Sequence, residues 1–559
     1  EEENQLGLAH LLEHMAFNGS TNYPKNALDK FMSSIGLDLG SHYNATTGHL
    51  KTVYEYEIPT DDPINVATTI KILADIANNL TLEGEAFERE RKIVEEEWRS
   101  DLGASKRYLD ELLPYLYKDS RLLERKPIGD IEVIRNFEYD DARSYYKKWY
   151  QPNLMGLFVI GDVDVNEIKN IITESFSSFE NNDVTIPNYK IPDFKENQFF
   201  KYQDEETERI SFDLLEKTDF KKLNNFDNYK DDRIYNLISD IYQRRIDELL
   251  EKNELAFLNS GLGNSQVSDL DEYKIVSVTL NEAKINEGII DFLTFIKQIE
   301  KFGFLNSELD LAKKNYLQYL KQNIIDEETR SSESYVNEYQ RHFLNDEMIS
   351  SSEDQLKFTK EMLPSITIQD LNNYFKKYIQ AKNQIISIKA PAYIKNLPNE
   401  AEIKKIFNEV ANKVIKPYEF QLKEVELIKE ELVGSKIIKR VKYPKTNVIK
   451  LTLKNGPEVY LKKTDFKKDE IRIRGFSSGG LSRANDKQYL SAKYLDEIIS
   501  RADVGELTVS EKENLYPTDF VDLYPFVDGQ EEGVKGYSNN EHLEDMFKLL
   551  YVNFTDLRI

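Results

Sequence analysis

At 559 residues the chain is too long for one compact core and predicts about three to five domains. Its 40% hydrophobic and 31% charged residues, with 23 Gly and 16 Pro, exclude disordered, collagen-like and low-complexity chains, and a formal charge of -25 has the wrong sign for a partner made of phosphates, so nucleic acid is excluded. No run of about 18 apolar residues occurs, so no spanning helix is expected within these residues. Zero cysteines remove disulfides, thiolate metal sites and cysteine nucleophiles together.

In chain order, an apolar helix begins at Leu6, and its early start is expected to place residue 1 inside a domain. Residues 26–35 read as an amphipathic helix stopped by Gly36, and 51–58 alternate as a half-buried strand. Helices follow at 66–80 and 85–99. The apolar run 155–160, closed by Gly161-Asp162, predicts an inner strand feeding a helix over 166–179. Residues 1–182 are thus expected to form one α+β unit, and 183–198, with Pro187 and Pro192, a linker.

A second α+β unit is expected over 199–396, with strands at 209–215, 273–280 and 384–388 and long helices at 227–252 and 307–345. Residues 397–445 are charged, partly helical and marked by Gly434 and Pro444, and read as a connector. The third unit, 446–559, opens with strands 448–454 and 458–463 joined by Asn455-Gly456, the favoured residues of a two-residue hairpin turn. A strand at 470–476, Gly479-Gly480, a helix at 486–501 and a closing helix at 543–554 follow. This order repeats the start of the chain. Ser491 to Glu497 stand where Gly7 to Glu13 stand in the first unit, so the hairpin and strand at 448–476 are expected to mark what precedes residue 1, and the third unit to be incomplete.

The sharpest feature is His10-Leu11-Leu12-Glu13-His14, in a chain with only six His. At about 100° per residue, His10 and His14 lie about 40° apart on one helical face, which is how two imidazoles reach one zinc ion. Glu13 points toward the same side, placed to act on a metal-bound water; the pattern is the inverse of His-Glu-x-x-His and occurs among metallopeptidases. From Leu6 to Phe17 these three are the only polar side chains, so the helix should be buried, and a metal with a third anionic ligand would offset the cost of burying them. The alternative is a pair of core histidines satisfied by Glu13 alone.

A third ligand can be sought by helical phase. Within 85–99, the residues Phe87, Glu90, Ile93, Val94 and Glu97 share one face, taken as inward, while Glu95 and Glu96 fall on the solvated side with Arg89 and Lys92. One of Glu90 and Glu97 is then a ligand candidate and the other a residue that holds a ligating group. His42 and His49 lack partner spacing and read as strand or loop surface, and His342 and His542 as helix surface.

The stretch from Gly7 to Ser20 resembles the zinc signature of the pitrilysin (insulinase) family of metallopeptidases, especially its large bacterial members. Further stretches agree: Asn44-Ala45-Thr46-Thr47, Glu88 through Trp98, Pro127-Ile128-Gly129, and Trp149-Tyr150-Gln151-Pro152 through Gly161-Asp162. In the third unit, Asn455-Gly456 and Ser477 to Leu481 are similar to the family's second half, where the zinc motif is lost. The resemblance implies repeated α/β sandwich domains in two halves that close a clamshell chamber. It implies one Zn2+ per chain held by His10, His14 and Glu97, with Glu13 as general base, Glu90 as the carboxylate behind a ligand, and substrate backbone pairing at Asn44 and Ala45. Zinc-dependent hydrolysis of short or unfolded peptides is the expected function. A non-catalytic interaction or scaffold subunit of the family is the alternative, and family habit implies a periplasmic or envelope location.

Overall fold

The computed structural model describes residues 2–558 except Lys25, Asn188, Ala381 and Glu424. The first unit comprises α1 (Leu8–Met15), α2 (Ala27–Ser34), β1 (Tyr43–Thr47), β2 (Thr52–Tyr56), α3 (Pro63–Asn78), α4 (Gly84–Ser100), α5 (Ala104–Leu116), α6 (Ile131–Asn136), α7 (Tyr139–Trp149) and α8 (Val165–Phe176). Chain entry into α1 depends on Gly7, whose φ is +92° and whose added Cβ would meet Ile128 O at 2.8 Å. Gly129 faces it, with room for a Cβ only 2.3 Å from Gly7 Cα. Two glycines back to back thus seat α1 against the 127–129 loop. Leu8, Leu11, Leu12 and Met15 then fill a core shared with Met32, Ile72, Ile76, Phe87, Val94 and Ile134.

Residues 155–160 do not form the expected strand. Among the described residues they have no paired neighbour, and an apolar run becomes a strand only where another backbone supplies its ladder.

In the second unit β3 (Gln198–Asp204) and β4 (Ile210–Asp219) precede α9 (Phe226–Glu251). β5 (Phe257–Gln266), β6 (Asp271–Leu280), α10 (Ile285–Phe302), α11 (Asn306–Asp326), α12 (Ser332–Asn345), α13 (Ser352–Met362), α14 (Ile368–Tyr378), β7 (Gln384–Pro391) and α15 (Glu400–Asn412) follow. The sheet runs β3-β7-β4-β6-β5, antiparallel except for β3 against β7. Alternation along β4 sends Leu214 into the helical core with Ile238, Phe292 and Phe375, and Leu215 to the opposite face. There it meets Leu112 of α5 beside Phe200, Tyr202, Tyr273 and Ile385, so a helix of the first unit covers the sheet of the second.

Three expectations change here. The helix expected over 307–345 is two helices, because the chain turns after Asp326 and Ser331 caps a new start by accepting from Ser334 N. The linker is pinned rather than loose: Ile191 is fully buried and its N–H donates to Asp271 Oδ2 at 2.9 Å. The connector has the expected helical part, α15, but Ile403, Ile406 and Val410 of that helix join the second core and β8 (Ile437–Tyr443) pairs into the third unit, so both its ends belong to the flanking units.

That unit continues with β9 (Val448–Leu453), β10 (Glu458–Lys462), β11 (Ile471–Ser478), α16 (Tyr489–Lys493), α17 (Leu495–Ser500), β12 (Asp503–Val504), α18 (Val509–Leu515), β13 (Val521–Val527), β14 (Glu531–Ser538) and α19 (Leu543–Thr555). Its sheets are ordered β10-β9-β8 and β11-β14-β13. The single helix expected over 486–501 is broken at Tyr494, and although α17 lies against β13, neither piece buries a residue, so little buried surface reinforces a continuous helix. Among the described residues no helix is long and apolar enough to cross a membrane.

Candidate metal centre

Helix α1 packs on α4, and the contact brings three expected ligands together. His14 Nε2 lies 3.4 Å and His10 Nε2 3.6 Å from Glu97 Oε2, and the ligand atoms of the three residues lie within 4.8 Å of one another. A tetrahedral zinc with bonds of about 2.0–2.1 Å separates its ligand atoms by about 3.3 Å. Both distances to Glu97 are close to that edge, so the residues fit a zinc ion. Among the described residues no other group of His, Cys, Asp and Glu meets the same spacing.

Glu90 stands one step behind. Its Oε2 lies 3.2 Å from His14 Nδ1, on the far side of the ring from Glu97, and it is 7% exposed. A carboxylate there accepts a hydrogen bond from Nδ1–H, which keeps the proton on Nδ1 and leaves the Nε2 lone pair for a metal. The phase argument holds for Phe87, Glu90 and Val94, which are buried, but fails for Ile93, which is 49% exposed. Beyond Val94 the C-terminal turns of α4 border solvent, and Glu97 is reached from that open side. Glu95 turns to Arg99 and Arg135 instead.

The charges are unbalanced without a cation. Three carboxylates surround two imidazoles, and burial, aided by the charge of His14, pushes His10 down to about 4, so that imidazole is neutral near pH 7. Burial also works against the charge on His14, but the hydrogen bond to Glu90 and the charge of Glu97 raise its pKa overall. A doubly charged ion is what this donor set accommodates.

Glu13, 8% exposed, stays outside the ligand group. Its Oε2 accepts from Thr47 Oγ1, which in turn lies 3.2 Å from Thr52 Oγ1 across the β1–β2 ladder. Burial raises the Glu13 pKa, with the Thr47 hydrogen bond opposing. Asn44 is exposed and Ala45 buried on β1, whose partner strand is β2; its other edge meets Leu39 and Gly40 only at Tyr43, so beyond Tyr43 that edge offers free backbone groups among the described residues.

Sequence reasoning missed Thr47, Asn18 and Arg89. Asn18 reaches Glu90, and Arg89 reaches Asn18; the only signal was that Thr47 and Asn18 fall in motif stretches. His42, His49, His342 and His542 join no metal group among the described residues. His542 is not a helix-surface residue. It is half-buried, pairs with Asp545 through Nδ1, and its Nε2 meets Gln318 of α11 at 2.6 Å, tying the third unit to the second.

Residues 1–121 match the family model for insulinase (peptidase family M16), and residues 136–316 match that of the peptidase M16 inactive domain. A zinc protease PQQL-like protein of Arabidopsis thaliana is 26% identical over 88% of this chain and 49% of its own length. The probable zinc protease PqqL of Escherichia coli is 26% identical over 99% of this chain and 60% of its length. The crystal structure of the periplasmic protease PqqL from Escherichia coli superposes on the whole chain, and on 62% of its own, at a TM-score of 0.73 and 23% identity. The chain spans about half to three fifths of the length of these curated relatives. The repeated α+β architecture is that of the pitrilysin-type clamshell. The two family models together cover more than half of the residues, from the buried histidine helix into α11, and the chain belongs to the insulinase (M16) family of peptidases.

Proposed function

We propose that the chain carries the active centre of a zinc-dependent endopeptidase, with one zinc ion held by His10, His14 and Glu97. The observation that carries this reading is the convergence of the three ligand atoms from α1 and α4, with Glu13 beside them and outside the ligand group. The ion would supply Lewis acidity, polarising a scissile carbonyl and acidifying a water. Glu13 takes the water proton and passes it to the leaving amine; Thr47 occupies Oε2 and leaves Oε1 for that proton. A pKa raised by burial makes Glu13 a better base near neutral pH. Glu90 keeps the Nδ1 proton of His14 in place. Substrate adds as a strand along the free edge of β1 at Asn44-Ala45, a backbone-directed mode that tolerates many side chains and suits short or unfolded peptides.

Residues 1–182 are the metal-carrying unit of this reading. The zinc-protease names of the relatives support it, and the periplasmic assignment of the neighbouring structure supports a periplasmic or envelope location. A scaffold role has no observation in its favour, since the ligand set and its base are complete. The test is Glu13→Gln: zinc stays bound at one per chain, while hydrolysis of an unfolded peptide falls by about 10²- to 10⁴-fold. Hydrolysis at the wild-type rate refutes the mechanism.

A further inference from the structure

The site has a brace that neither the ligand motif nor the peptidase reading uses. Asn18 lies just past the end of α1, and its Nδ2 makes two contacts: 2.8 Å to Glu90 Oε1 and 3.1 Å to the carbonyl of His14. Its Oδ1 accepts from Arg89 Nη2 at 3.1 Å, and Arg89 Nη1 is itself tied to the carbonyl of Glu85 at 3.2 Å. A guanidinium only donates, so the amide oxygen must face Arg89 and the NH2 group must face Glu90. The orientation of the amide is therefore set by chemistry.

Glu90 needs this partner. Its Oε2 serves His14, and with the residue 7% exposed, little water is at hand for Oε1. Asn18 satisfies that oxygen and holds the carboxylate plane in line with the imidazole. It grips His14 a second time through the backbone carbonyl, so one side chain fixes both ends of a ligand.

We propose that Asn18 is a positioning residue of the metal centre: oriented by Arg89, it holds Glu90 in the pose that accepts the hydrogen bond from His14 Nδ1–H, and so slows loss of the ion. This rests on the zinc reading above. Asp at 18 is the sharp test, since it keeps the size and the contact with Arg89 but turns a second carboxylate toward Glu90.

The experiment loads the full chain with zinc, removes excess metal and follows release into a strong chelator. Asn18→Asp and Asn18→Leu should both release zinc about tenfold faster than wild type, the lower end of the range for outer partners of metal ligands. Arg89→Met, which frees the amide to flip, should release it about threefold faster, and it carries the test if neither Asn18 variant folds. The metal-free variants should melt where metal-free wild type melts. Release within twofold of wild type, acceleration in Asn18→Leu alone, or acceleration matched by a lower metal-free Tm overturns the proposal. Wild-type chain that holds no zinc overturns the zinc reading instead, so the two failures are distinct.

Discussion

Helix α1 and the pair α16–α17, which the sequence pattern sets at corresponding places in two units, behave oppositely. In α1, Leu8, Leu11 and Leu12 are fully buried, and the helix also buries His10 and Glu13. In α16–α17 no residue is buried; Tyr494 and Ile498, which occupy the places of His10 and His14, are 49% and 43% exposed. Burying ionisable groups is tolerated where a cation and a third carboxylate offset the cost, and α1 has α4 to supply Glu97 and Glu90. The third-unit helices keep a carboxylate at the place of Glu13, Glu497, but have no histidine beside it, and their polar groups stay in solvent. Burial of the first helix is thus tied to its chemistry as much as to its leucines.

The comparison breaks most completely if α1 loses a ligand. His14→Ala should take bound zinc from one per chain to none, measured by metal analysis of the purified chain, and retention of stoichiometric zinc would contradict the ligand set.

A smaller effect is expected at a buried acid that feels a cation only at a distance. Glu216 of β4 is 8% exposed, its Oε2 has no hydrogen-bond partner, and burial raises its pKa from 4.5 to about 8 against the pull of Lys274. A raised carboxyl pKa favours the native state while the group is protonated. Its share of stability is therefore complete below about 4.5 and lost as pH climbs through about 8. Glu216→Gln should flatten the fall in Tm between those limits, and an unchanged slope would remove Glu216 as its source.

The smallest effect sharpens the contrast from the other side. Tyr494→His combined with Ile498→His restores the histidine spacing in the third unit, but that stretch is exposed and broken at residue 494, so zinc should remain at one per chain. Two zinc ions would show that spacing alone suffices.

Much of the centre was legible because it is local. His10, Glu13 and His14 sit within one helical turn or so, and the seven-residue interval from Glu90 to Glu97 keeps both on one face, so periodicity exposes them. Thr47 and Asn18 act across the fold, from a strand onto α1 and from the turn after α1 onto α4, and no period in the sequence encodes such contacts. The same limit applies to the architecture. The Asn455-Gly456 hairpin was readable from its turn, whereas residues 155–160 have the composition of a strand but no neighbour to make them one. Ile191 looked like linker because its burial depends on β6, some eighty positions along the chain.

Helix α5 belongs to the first unit by chain order and to the second sheet by packing, with Leu112 set among Phe200, Tyr202, Leu215, Tyr273 and Ile385. Cutting the chain at the linker would strip that sheet of its cover and leave α5 with an apolar stripe facing water. The two units cannot be swapped between relatives as independent modules. A graft that carries the histidine helix to another scaffold must bring the second sheet with it, or replace the lost surface with a new one.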